Sequence, residues 1–557
     1  AQDATRPAEL RNSPELAWHA IRTFIKGRRP ADGQEDDFGP DCYAELPKRQ
    51  KSIDEDLYGQ IYKSIWQGWY KPRCERDSLW DDQDLALEVL RQEDDLARYP
   101  AIICDEAQDF TSNELAVILR LSLFSAREVP HYLLGRIPFA FAGDPFQTLN
   151  PTGFDWNALS DSFRENLLRE LDPAGRQQLQ VNFRELEFNY RSAEPIVRLC
   201  NLVQLLRGIL FEVGGLKPQL TWRNEVAPDP ALFDIAEAAT RDALRGADEV
   251  VFIVPSQEET ETEYVQADEQ LSKIALVDGK LSRDVFNPMR AKGMEFGRVV
   301  IYKFGDYCLK RIPGLPALLA KPEPQARRNR DRLAYEYFLN RLYVALSRAR
   351  GRLLIVDTGE AIERFWRFAR GQGYEDLIGQ YKSSGGAWGL ANLGLAIKGE
   401  AGAWQEDALD DSADIGRQFF DSGYENRDSY LLERAASRFD RVGDESNALK
   451  ARAWACHFRE DYLQAGRMFA RIPDVQHALD NFWLAGEYVD FVNLARNKGV
   501  AGDPRFHAAR YMGSHRREED ARAIFAALNV AISESNGAVG AADKRMREVL
   551  DAAFGTL

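Results

Sequence analysis

No run of about 20 consecutive apolar residues occurs in the sequence, which excludes a conventional membrane-spanning helix. There is no CxxC pair either. The six cysteines, Cys42, Cys74, Cys104, Cys200, Cys308 and Cys456, are dispersed, which argues against a disulfide framework and predicts a reducing compartment, cytoplasmic or nuclear. The six histidines are equally scattered, none at zinc-ligand spacing from a cysteine or aspartate, so no structural metal site is expected. An excess of basic residues is missing too: the net charge is −16, unlike a protein that coats nucleic acid over its whole surface. The opening residues AQDATRPAEL have neither the basic start nor the apolar core of a signal peptide.

What is present is a chain of 557 residues, 45% apolar and 29% charged. That composition predicts a soluble globular protein with about three or four domains. Basic charge is concentrated locally, in ARRNRDR (326–332) and SRARGR (347–352). Residues 1–100 read as helical and irregular, with helical apolar spacing in SPELAWHAIRTFIKG (13–27) and DDQDLALEVLRQ (81–92) and a loop at 31–41. From 101 to 357 short β-type runs alternate with helical stretches: AIIC (101–104), FAFAG (139–143), VVFIVP (250–255), VVIYKFG (299–305) and LLIVD (353–357). That alternation predicts parallel strands with helical crossovers in two α/β layers. A glycine-rich passage at 383–404 reads as a linker or loosely packed connection, and everything beyond it is helical. There ERAASRFDRVGDESNAL (433–449) aligns with LQAGRMFARIPDVQHAL (463–479) at an offset of 30. A period near 30 with matched small and aromatic residues predicts stacked helix hairpins.

The chemistry gathers at strand ends. AIICDEAQDF (101–110) runs an apolar strand into Asp105 and Glu106. At the carboxyl edge of a parallel sheet one acid can hold Mg²⁺ through water while the other orients an attacking water. GDPFQ (143–147) follows a second short strand. Its Gln147 is a neutral donor and acceptor able to sense a phosphate. NYRS (189–192), AKGMEF (291–296) and YVALSRARGR (343–352) supply Arg191 at the start of a helical stretch, a lysine–glycine turn, and Arg348 on a helix before the strand LLIVD. A guanidinium brought across a cleft stabilises the charge of phosphoryl transfer and is worth ~10³ to 10⁵ in rate.

DEAQDF, GDPFQ, NYRS, AKGMEF and YVALSRAR, in this order, resemble motifs II to VI of the UvrD/Rep-like branch of superfamily 1 DNA helicases, over roughly half the chain. The resemblance implies a P-loop NTPase: two RecA-like parallel-sheet lobes, the first incomplete, followed by an all-α, TPR-like helical-repeat domain. The implied divisions are 1–100, a helical remnant of the first lobe and its inserted subdomain; 101–185, the second half of that lobe; 186–357, the second lobe; 358–404, a linker; and 405–557, the repeats. It implies ATP and Mg²⁺ as cofactors and single-stranded DNA as partner. Asp105 is then the Mg²⁺ acid, Glu106 the catalytic acid and Gln147 the γ-phosphate sensor. Gln108 contacts the nucleotide or couples it to the DNA site, and Arg191 and Arg348 reach the phosphates from the second lobe. Gly293 and Glu295 lie near γ-phosphate and ribose. Phe154 and Trp156 lie where relatives stack a DNA base, although aromatic packing under a loop fits them equally well.

The sequence departs from that pattern in three places. No GxxxxGK[ST] phosphate loop occurs, so the chain is expected to be the carboxyl part of a longer protein, or to be completed by a separate amino-terminal fragment. Only about 30 residues separate VVFIVP from AKGMEF, so no large inserted subdomain is expected there. Before AKG, where relatives usually carry threonine and histidine, Asn287 and Met289 stand instead, leaving Arg290 as the candidate phosphate contact. Two alternatives stay open: a non-catalytic helicase-like scaffold that binds protein partners through its repeats, and an RNA-directed motor.

Overall fold

The computed structural model describes residues 14–29, 37–47, 50–91, 98–123, 139–144, 147–149, 184, 186–211, 217–222, 227–247, 250–257, 260–277, 280–325, 331–383, 385–399 and 412–499. The chain divides into two compact units, Ala1–Glu406 and Asp407–Leu557.

The first unit is mixed α/β. Its main sheet has six strands, all parallel, in the order β12 (Ile397–Lys398), β5 (Ala231–Asp234), β11 (Ala349–Asp357), β10 (Phe296–Tyr302), β6 (Val251–Ile253) and β9 (Asp284–Phe286). The central pair β10 and β11 are apolar and buried along their carboxyl halves. Strands covered on both faces need that continuous apolar character rather than an alternation. Asp357 closes β11. Its carboxylate accepts the backbone N–H groups of Gly305, Asp306 and Thr358 and the Trp366 indole N–H, at 2.7 to 3.1 Å, while burial pushes its pKa up to about 6.

A second, smaller parallel pair joins β1 (Ile102–Cys104) to β2 (Phe139–Phe141), with Ile103 opposite Ala140. The helix Ser112–Arg120 follows β1. It starts from a reciprocal capping box, in which Thr111 Oγ1 accepts the Glu114 N–H and the Glu114 carboxylate accepts the Thr111 N–H. Between β6 and β10 the described residues hold only two short helices, Glu261–Ala267 and Glu269–Ala275, the hairpin of β7 (Leu276–Val277) and β8 (Lys280–Leu281), β9 and the helix Pro288–Ala291.

The amino-terminal helices form their own core around Phe24, Tyr43 and Tyr58, the two tyrosine rings stacked at 3.9 Å. This core meets the helix Arg332–Leu346 through buried His19, which hydrogen-bonds the Tyr337 and Ser52 hydroxyls at 2.7 Å each.

Within 358–404, expected as a linker, the described residues 358–383 and 385–399 instead carry ordered elements joined to the main sheet through β5. They form the helices Gly359–Arg364 and Gly371–Ser383 and contribute the edge strand β12. The glycines here permit contact rather than slack. A Cβ on Gly399 would lie 2.3 Å from the Phe233 ring, and one on Gly394 2.7 Å from Arg198 Cβ.

The second unit, as described, is six successive helices from Ser412 to Asn497, each packed on the next. The residues matched at the 30-residue offset take matching places. Ala435 and Ala465, Phe439 and Phe469, and Ala448 and Ala478 are buried. Asp444 and Asp474 each cap a helix by accepting the N–H three residues on, from Asn447 and His477. Among the described residues no helix is long and apolar enough to cross a membrane.

Candidate functional site

The turn after β1 is built from its side chains. Asp105 is exposed, and its Oδ1 accepts the Glu106 N–H at 2.8 Å. Glu106 itself sits in the left-handed region, at φ +52°, a conformation that a non-glycine residue holds only when its surroundings impose it. Gln108 imposes it. Fully buried, it donates from Nε2 to the Glu106 carboxylate and accepts the Asp144 N–H on Oε1 at 2.9 Å. The same amide thus ties the end of β1 to the loop after β2, helped by the Ala107 N–H to Ala142 carbonyl bond at 2.8 Å. Gly143 must be glycine for this to close, since a Cβ there would fall 2.5 Å from Gln108 Oε1. Gln108, expected to contact the nucleotide or to couple it to the DNA site, is buried and braces Glu106.

Gln147 donates to Asp144 Oδ2 at 2.9 Å and accepts from Arg348 Nη2 at 3.0 Å. That contact joins the β1–β2 layer to the six-stranded layer. Arg348 lies in the turn between the helix Arg332–Leu346 and β11, fully buried. Its remaining donors reach the Val344 and Met294 carbonyls and Ser347 Oγ at 3.0 to 3.2 Å. Burial and the neighbouring Arg191 charge bring its pKa down to about 10, so it stays cationic at neutral pH.

A further cation, Lys292, meets the turn from the six-stranded side. Its ammonium is largely buried, bonds the Asp109 carboxylate and lies 3.5 Å from Glu106 Oε2. Burial raises the Asp109 pKa, against the pull of Lys292. Lys292 was missed as a site residue. The lysine–glycine turn it belongs to was visible, but its carboxylate partners lie 183 positions away for Asp109 and further for Glu106.

The other expected residues fall differently. Arg191 donates to Glu295 Oε2 at 3.0 Å, and Arg350 stands 3.7 Å from the same carboxylate. Arg191 and Glu295 are thus ion-pair partners, and the Arg191 charge is near enough to act on Arg348. Gly293 holds φ +81° with open space around it. Arg290, expected at a nucleic-acid phosphate, is instead paired with buried Glu261 at 2.8 Å, both side chains nearly inaccessible. Asn287 caps its short helix and donates to the same Glu261 at 2.8 Å. A buried carboxylate without a cation would be costly, which is why Arg290 turns inward. Phe154 and Trp156 lie outside the described residues.

Asp105 fits a Mg²⁺ ion. The ion keeps several waters and takes phosphate oxygens, so one or two protein carboxylates suffice, and Asp105 offers an exposed one. No group of three or more His, Cys, Asp or Glu side chains converges among the described residues to form an all-protein cage. No protein family matches the chain, and no curated protein matches it.

Proposed function

We propose that the chain is the post-phosphate-loop portion of an ATP-dependent DNA helicase or translocase of the UvrD/Rep-like type. The β1–β2 layer would be part of a first RecA-like lobe, the six-stranded layer the second, and the distal helices a TPR-like repeat. The observation that carries this reading is the Arg348–Gln147 hydrogen bond between the two layers, a few residues from an acidic turn built around Glu106. Asp105 would hold a Mg²⁺ ion through water, and the ion would supply positive charge to offset that of the triphosphate. Glu106, fixed by Gln108, would orient the attacking water. Gln147 and Arg348, already joined, would meet the γ-phosphate from opposite layers, so that hydrolysis depends on how the layers approach. Lys292 would add positive charge beside Glu106.

The backbone N–H cradle and lysine of a phosphate loop are not encoded in this sequence. On this reading the cradle comes from a segment upstream or from a separate chain, and this polypeptide alone hydrolyses ATP at near-background rates. A steady-state ATPase assay, with and without single-stranded DNA, on this chain and on a form that includes the loop, tests this. Stimulated, Glu106-dependent turnover only in the loop-containing form is expected. Robust Glu106-dependent turnover by this chain alone refutes the dependence on that loop. The missing loop also favours a second reading, a helicase-like scaffold whose repeats dock a protein partner; absence of turnover even with the loop present would select it.

A further inference from the structure

The helix Arg332–Leu346 and the turn after it deliver two side chains to one short segment. Arg348 donates to the Gln147 side chain at 3.0 Å. Asn340, on the helix about two turns earlier, donates from Nδ2 to the Thr148 carbonyl at 2.7 Å. Both contacts are long-range, spanning 201 and 192 positions. The segment between them is held down, with Thr148 and Leu149 both buried.

Asn340 is an unexpected residue for this place. It is 2% exposed, on a helix whose Phe338, Leu339, Leu342 and Val344 are also buried. Among the described residues its Oδ1 has no donor within hydrogen-bond distance. A buried amide satisfied on one side only is a poor packing residue, because the orphaned acceptor bears a desolvation penalty. An apolar side chain of similar size would fill the space without it, so the Nδ2–Thr148 bond is what distinguishes asparagine here. It pins the backbone next to Gln147 and so fixes the point from which the Gln147 side chain reaches Arg348.

We propose that Asn340 is a positioning residue. It holds the Thr148 backbone so that the Gln147 amide is presented between Asp144 and Arg348, and it makes Gln147 follow any movement of the Arg332–Leu346 helix. The catalytic consequence rests on the hydrolysis reading above; the mechanical one does not.

Hydrogen exchange read by mass spectrometry on the full 557-residue chain tests the mechanical part. In Asn340→Ala, exchange in the peptide covering Gln147 to Leu149 should rise about tenfold, the effect of losing one buried hydrogen bond, while peptides from β10 and β11 stay unchanged. Unchanged exchange at 147–149 overturns the proposal. Should the alanine variant fail to fold, Asn340→Leu, close in size and lacking the donor, must give the same rise, and its failure to do so overturns the proposal equally. In a form that hydrolyses ATP, Asn340→Ala should lower kcat about tenfold with KM unchanged. Full activity in Asn340→Ala, where Glu106→Gln abolishes turnover, removes Asn340 from the mechanism and leaves the hydrolysis reading standing. If Glu106→Gln changes nothing, the hydrolysis reading fails and the exchange result alone decides the role of Asn340.

Discussion

His19 illustrates how far burial sets the behaviour of one residue. Enclosed between the Tyr337 and Ser52 hydroxyls, it has its pKa lowered by desolvation from 6.5 to about 3. The unfolded chain takes up that proton near pH 6.5 and the folded chain only near pH 3, so the unfolded state binds more protons between the two. His19 therefore contributes stability in full above pH 6.5 and loses it as pH falls, at up to about 1.4 kcal/mol per pH unit. His19→Gln should flatten the acid side of the urea-midpoint profile; an unchanged profile would mean that His19 is hydrated and already titrates normally. Residue types announced the site better than residue partners did. Asp105, Glu106, Gln147 and Arg348 stand out in the sequence because strand-end acids, a phosphate-sensing amide and a finger arginine are specific requirements. That Arg290 turns toward Glu261, or that Asn340 grips Thr148, depends on contacts between distant positions and has no local sequence signature.

At the scale of elements, the strands set in continuous apolar runs were legible: β1, β2 and β6 fall within runs visible in the sequence, while β10 and β11 overlap theirs but start earlier, at Phe296 and Ala349. The strands β3 (Phe188–Asn189), β4 (Leu220–Thr221), β5, β9 and β12 were not, because no comparable apolar run frames them and so short a stretch carries no periodicity of its own. Glycine misled at 383–404, since composition does not distinguish a chain that needs freedom from one that needs close approach. The same close approach governs the helical unit. A Cβ on Gly466 would lie 2.8 Å from the Phe482 ring of the next helix. Gly466→Ala should destabilise that unit by about 1–3 kcal/mol through overpacking, and Asp474→Ala by about 1 kcal/mol through loss of its cap. Thermal unfolding of the full chain followed through Trp454 and Trp483 fluorescence reads both. No loss in Gly466→Ala would mean that the two helices can separate freely.

For the molecule as a whole, what matters is that, among the described residues, polar contacts between the two α/β layers fall on or beside residues with a proposed chemical role. Lys292 meets Glu106, Arg348 meets Gln147, and Asn340 meets the backbone beside it. An interface of this kind can transmit a change of charge at the acidic turn into a change in the approach of the layers, as a nucleotide-driven motor requires. The sequence pointed to Glu106, Gln147 and Arg348, but not to Lys292 or Asn340. The pairing across the interface came only with the tertiary structure, because strand order and layer contacts are not encoded locally.

The most direct measurement is ATP turnover in the loop-containing form on replacing Arg348 by alanine. Loss of DNA-stimulated kcat by about 10³-fold or more, with nucleotide affinity largely kept, is what a finger arginine predicts. Undiminished turnover in a folded Arg348→Ala protein would contradict the account at its centre.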